Sequence, residues 1–125
     1  MILDTNGLSA IVDGDRDAER VVMGELLLAL PTIVLGEYEF GLLGSSRSGA
    51  LRAEFAKIER RLTLLVVDRD TSLIYAGVKH DLKRRGRPIP ENDLWIAALA
   101  LQHDQPILSR DAHFDAVDGV RRVGW

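Results

Sequence analysis

Apolar positions along the 125-residue chain fall into short unbroken runs, separated by longer stretches with helical spacing. Met1-Ile2-Leu3, Thr32-Ile33-Val34-Leu35 and Thr63-Leu64-Leu65-Val66-Val67 are aliphatic or β-branched at successive positions, as in strands covered on both faces. Ile107-Leu108 and the segment from Val120 to Val123 close the set of predicted strands. Residues 17–29, 37–43, 47–62, 70–85 and 93–103 read as helices. In 47–62, Leu51, Phe55, Ile58 and Leu62 form one apolar stripe, with Arg52, Glu54, Lys57 and Glu59 off it. The 70–85 helix is ended by Gly86 and Pro88, and the 93–103 helix is apolar nearly all round, which predicts a helix packed inside the fold. Alternation of strands and helices predicts an α/β fold, a three-layer α/β/α sandwich with a central, mostly parallel sheet. No repeat or linker divides the chain, and Gly44 to Gly49 reads as a loop between helices, so residues 1–125 are expected to form one domain.

Composition removes whole classes of function. Hydrophobic residues make up 46% and charged residues 28%, a globular rather than disordered balance. With no cysteine, a disulfide scaffold, a zinc ribbon, a thiol nucleophile and an iron–sulfur centre are all excluded. Sixteen Lys and Arg against 19 Asp and Glu give a net charge of −3, which excludes a uniformly basic nucleic-acid coat but not a local basic patch. The longest apolar run, Leu26 to Gly36, is interrupted by Pro31 and is shorter than the roughly 20 residues of a membrane span. Met1 runs straight into Ile-Leu-Asp without a basic, cleavable leader, so a cytoplasmic protein with no membrane partner is expected.

The acidic residues fall where chemistry is expected. Ligands of open α/β sheets bind beyond the carboxyl ends of the strands. Asp4 directly follows the first strand, Asp111 follows Ile107-Leu108, Glu37 comes two residues after the predicted strand ending at Leu35, and Asp93 opens the apolar helix. Each has an ordinary structural reading: a helix cap for Asp4 and Asp111, a first-turn acid facing the helix dipole for Glu37 and Asp93. Jointly, four carboxylates at one rim repel each other unless a cation sits between them. Hard oxygen donors select Mg²⁺ or Mn²⁺, whose characteristic chemistry in such sites is hydrolysis at phosphorus. His80, His103 and His113 show no ligand spacing and read as surface or packing residues.

Four blocks carry a family resemblance: Ile2-Leu3-Asp4-Thr5-Asn6, Val34-Leu35-Gly36-Glu37-Tyr38-Glu39-Phe40-Gly41, Glu91-Asn92-Asp93-Leu94-Trp95-Ile96-Ala97-Ala98 and Leu108-Ser109-Arg110-Asp111-Ala112-His113-Phe114. In order and spacing they resemble the signature blocks of PIN domains, above all the VapC-type ribonuclease toxins of toxin–antitoxin modules. The resemblance implies a PIN-like, Rossmann-like fold and a Mg²⁺- or Mn²⁺-dependent endoribonuclease that hydrolyses RNA phosphodiester bonds with a metal-activated water. It also implies a cognate antitoxin and a homodimer. By the same resemblance Asp4, Glu37, Asp93 and Asp111 form the metal-holding quartet, Asp4 and Asp93 being direct ligands. Ser109 and Asn6 are supporting polar residues, and Asp115 is a fifth acid.

Lys79, Lys83, Arg84, Arg85 and Arg87 are the densest basic stretch and, with Arg110, the candidate contacts to RNA phosphates. The helix bearing Leu51, Phe55 and Ile58, with the segment Tyr38 to Leu43, is the expected antitoxin groove; ordinary core packing is its plainer reading. Three rivals stand beside the nuclease. A HAD-type phosphatase requires a second Asp where this chain has Asn6, and a receiver-type phosphoacceptor domain with Asp68 as acceptor lacks the Lys expected after the late strand. The third is a catalytically inactive PIN-like module that binds RNA or a partner.

Overall fold

The computed structural model describes residues 1–125. Five strands, β1 (Ile2–Leu3), β2 (Leu28–Pro31), β3 (Leu62–Leu65), β4 (Ile107–Leu108) and β5 (Arg122–Val123), form one sheet in the order β3-β2-β1-β4-β5. Every pairing is parallel. Six helices flank it: α1 (Thr5–Val12), α2 (Arg16–Val22), α3 (Thr32–Leu43), α4 (Ser48–Glu59), α5 (Arg69–Arg84) and α6 (Glu91–His103). A 3-10 turn, Ala112–Ala116, follows β4. The α/β class and the parallel sheet are as expected from the sequence.

The chain lays β1, β2 and β3 outward in one direction and then returns to place β4 on the other side of β1. The gap between the carboxyl ends of β1 and β4 is therefore a topological switch point, where the following segments diverge and leave a crevice. Asp4 leaves β1 and Ser109 leaves β4 at that gap.

Two local expectations are corrected. Thr32 to Leu35 is the first turn of α3, not a strand; the strand is Leu28–Pro31, which begins within the segment read as the 17–29 helix, and that helix is Arg16–Val22. Thr-Ile-Val favours strand locally, but Val34, Tyr38 and Leu42 recur every four residues and are all buried, so packing of one helical face overrides propensity. Leu28 to Pro31 pairs with β3, and Ala29 also with Ile2; Pro31 is the last residue of the strand, where its missing N–H costs little. Helix α1 was not expected from the apolar pattern.

Helix α6 is the central packing element, with Leu94, Ile96, Ala97, Ala98, Leu99 and Ala100 all buried. Its small alanines permit close approach to the sheet and to α5. Gly7 serves the same end in α1: a Cβ there would lie 2.5 Å from the Leu108 carbonyl oxygen. Only glycine lets α1 rest on the end of β4.

Candidate metal centre

The switch point is built from hydrogen bonds that tie the ends of β1 and β4 together. Asp4 is buried, its N–H donates to the Leu108 carbonyl at 3.2 Å, and its Oδ2 accepts from Ser109 Oγ at 2.7 Å and from Asn6 Nδ2 at 3.0 Å. Ser109, fully buried, accepts in turn from the Asp111 N–H at 2.9 Å, while Asn6 Oδ1 accepts from the Arg110 N–H at 3.1 Å. The two supporting residues therefore fix both strand ends and leave the second oxygen of Asp4 outside the network. Ser109→Ala removes a donor to a buried carboxylate. The expected result is a loss of about 1.5–3 kcal/mol in denaturant unfolding and a weakening of Mn²⁺ binding by about 10–100-fold in calorimetric titration.

Glu37 is the sixth residue of α3, not a first-turn acid, so the helix dipole does not account for it. It bridges the site: one carboxylate oxygen accepts from Thr5 Oγ1 at the start of α1, the other from Asn92 Nδ2 at 2.7 Å on α6. Asp93 is the third residue of α6 and Asp111 is the N-cap of the 3-10 turn, its Oδ1 accepting from the His113 N–H at 2.9 Å. The His113 ring closes the group, with Nδ1 3.0 Å from Asp93 Oδ2 and 2.8 Å from Asp111 Oδ1.

Electrostatics separate this cluster from simple helix capping. Asp4 stands at the N-cap of α1, yet its side chain makes no capping bond to the helix. Capping or a helix dipole would lower a carboxyl pKa. Here burial, the largest cause, raises that of Asp4 against hydrogen bonds from Ser109 and the Thr5 backbone, with smaller upward pushes from Glu37 and Asp111. Burial likewise pushes Asp93 up to about 6 against the His113 hydrogen bond, with Asp111 and Asp4 adding repulsion. No Lys or Arg forms an ion pair with any of the four acids; His113 is the one basic side chain that does so. Asp93, Asp111 and His113 bring one donor atom each within 4.8 Å of one another, a cluster consistent with a divalent metal site.

A family profile described as PIN domain matches residues 1–120. The chain belongs to the PIN domain family. This PIN domain is 29% identical over 124 residues to Ribonuclease VapC5 of Mycobacterium tuberculosis, covering 98% of this chain and 90% of the relative. Among solved structures it is similar to VapBC-1 from nontypeable Haemophilus influenzae, with TM-score 0.84 and 27% identity over 99% of this chain and 96% of that one. It is also similar to VapBC-5 from Mycobacterium tuberculosis, described as a member of the VapBC family of toxin-antitoxin systems, with TM-score 0.75 and 26% identity over 99% and 97% of the two chains.

The other expected site residues are placed less uniformly in this PIN domain. Asp115 is held by two hydrogen bonds from Arg122, both 2.8 Å, which lower its pKa, and it stands outside the carboxylate group. Arg84 and Arg85 are paired with Asp81, and Lys79 with Glu91 and Tyr75. Lys83 and Arg87 form no ion pair; Lys83 lines a small cleft with Lys79, Glu91 and Leu94. Arg110 lies 4.3 Å from the Trp125 ring centroid and 3.4 Å from Asp15. Asp68 is the capping-box residue of α5, beyond an edge strand, which leaves no place for a receiver-type phosphoacceptor. His113 lies at the surface, as expected, but its ring also contacts Asp93 and Asp111, which was not expected from the sequence. Its signal in the sequence was proximity to Asp111, two residues before it, whereas Thr5 and Asn92, also unanticipated, had only their adjacency to Asp4 and Asp93.

Proposed function

We propose that this PIN domain is a Mg²⁺- or Mn²⁺-dependent endoribonuclease, the toxin of a toxin–antitoxin pair, with Asp4, Glu37, Asp93 and Asp111 holding the metal. The observation that carries the reading is the cluster of Asp93, Asp111 and His113 close to Asp4 at the carboxyl end of the sheet, with no Lys or Arg paired to these acids. The full-length similarity to VapC5, named a ribonuclease, supports RNA as the substrate. When bound, a divalent ion supplies the means to activate a water and to neutralise charge on the leaving oxygen at phosphorus.

The chain's own residues prepare that chemistry. Ser109 and Asn6 hold one oxygen of Asp4, so that its other oxygen is free to ligate without reorganisation. Thr5 and Asn92 orient Glu37 differently, each donating to one of its two carboxylate oxygens. Lys83 and Arg87, exposed and outside any ion pair, are the candidate cations available to flanking RNA phosphates, and Arg110 joins them only by leaving Asp15.

A cytoplasmic antitoxin protein is the partner in this reading, supported by the resemblance to VapBC-5. Of the expected groove, Tyr38, Leu42 and Phe55 are core residues, whereas Phe40 and Leu43 are exposed. A cavity of about 330 Å³ is lined by Ile11, Val12, Val22, Met23, Ile58 and Leu62 among others, from α1, α2, α4 and the start of β3. We assign an apolar antitoxin segment to it, and a homodimer completes the proposed assembly. No helix is long and apolar enough to cross a membrane.

The test is cleavage of total RNA, tRNA included, by purified protein. Fragments should appear with Mn²⁺ or Mg²⁺, disappear with EDTA, return on adding back the ion, and be absent with Asp4→Asn. No Mn²⁺ binding in calorimetry, together with no cleavage, would sink the proposal.

A further inference from the structure

His113 is the one nitrogen donor in an otherwise all-oxygen centre. Its Nδ1 is aimed between Asp93 and Asp111, and one donor atom from each of the three residues lies within 4.8 Å of the others. The placement is firm. Asp111 and His113 share the 3-10 turn, Asp111 accepting the His113 N–H, and the next residue, Phe114, is fully buried and anchors the turn in the core. The ring itself is half-exposed, so nothing in the core demands its orientation.

We propose that His113 is a nitrogen ligand of the bound divalent ion and biases this centre towards Mn²⁺ over Mg²⁺. Mg²⁺ is small, keeps its waters and takes oxygen almost exclusively, so an imidazole adds little to its binding. First-row transition ions accept imidazole nitrogen alongside carboxylates, and Mn²⁺, although the weakest binder of their series, shares that tolerance. A centre of Asp93, Asp111 and His113 with Asp4 behind it therefore discriminates by donor type, not by cavity size. The competing role for His113 is that of a counter-ion lying between two carboxylates, which an entering metal displaces. The two roles have opposite consequences, because a ligand's removal weakens metal binding and a competitor's removal strengthens it.

This inference rests on the metal-dependent reading, and one experiment separates the two. Mn²⁺ is added to the full chain, and pulsed electron paramagnetic resonance is recorded for the wild type, His113→Gln and His113→Ala. The wild type is expected to show ¹⁴N coupling from a directly bound imidazole, and both variants to lose it while still folded by circular dichroism. Calorimetry should show Mn²⁺ affinity falling by about tenfold in the variants and Mg²⁺ affinity changing by less than about twofold. Mn²⁺ bound without ¹⁴N coupling, or bound more tightly by His113→Ala, overturns the ligand role and leaves the nuclease reading intact. Absence of Mn²⁺ binding in the wild type overturns both.

Discussion

Asp93→Asn is expected to abolish RNA cleavage and at the same time to stabilise the folded protein at neutral pH. The carboxyl of Asp93 is raised from 3.8 to about 6 by burial and by its acidic neighbours. Between those values the folded state binds more protons than the unfolded one, so stability falls as pH rises from about 4 to about 6 and stays lowered above. Asparagine has the shape without the charge and removes that cost. Allowing for solvent screening of a partly accessible group, the gain at pH 7.5 is about 1–2 kcal/mol, and below pH 4 it vanishes. Cleavage should drop by roughly three orders of magnitude, the scale of losing a preorganised electrostatic group. Thermal unfolding in EDTA at pH 7.5 and pH 4, beside an RNA cleavage assay, checks both halves. Adding Mn²⁺ at a hundredfold excess over its dissociation constant should stabilise the wild type by about 2.7 kcal/mol and leave the variant unmoved. A variant that loses activity by unfolding would instead show Asp93 to be structural.

Gly7→Ala should be the most damaging single-methyl change in the chain. Alanine is the better helix former by about 1 kcal/mol, and propensity alone predicts a gain. The added Cβ, however, meets the Leu108 carbonyl oxygen at 2.5 Å, a backbone atom in β4 that cannot rotate away. That oxygen also accepts the Asp4 N–H. Moving α1 or β4 therefore disturbs the Asn6–Arg110 and Asp4–Ser109 links together, and overpacking of this kind costs about 1–3 kcal/mol net of propensity. A misplacement approaching 1 Å at the acids costs about a hundredfold in rate. Gly77→Ala, on exposed α5 with no atom within 4 Å of the new methyl, is the control and should gain about 0.5–1 kcal/mol. Equal effects of the two substitutions in denaturant unfolding would dismiss the close-approach argument.

Chain-local features carried much of the reading. Apolar runs ending in an acid are local, so Asp4 and Asp111 could be placed at strand ends before any coordinates were known. The periodicity of α4, α5 and α6 is equally local, and those helices appear within a few residues of their expected limits. Where two local signals compete, as at Thr32 to Leu35, β-branched propensity misleads, because burial of Val34, Tyr38 and Leu42 is decided by elements far away in the chain.

Composition and short-range pattern were enough to establish an α/β chain with acids at the carboxyl edge of its sheet. Strand order lay beyond them, because it depends on which way the chain turns after β3, and it is this order that creates the β1/β4 crevice. Also beyond them were contacts between residues remote in sequence, such as Glu37 to Asn92, Ser109 to Asp4 and His113 to Asp93. Such contacts need distant backbone segments brought within hydrogen-bonding reach, and no pattern along a single strand or helix encodes that distance. His113 shows the difference most directly: its spacing suggests nothing, and its position two residues beyond Asp111 acquires chemical meaning only when α6 brings Asp93 to the other side of the ring.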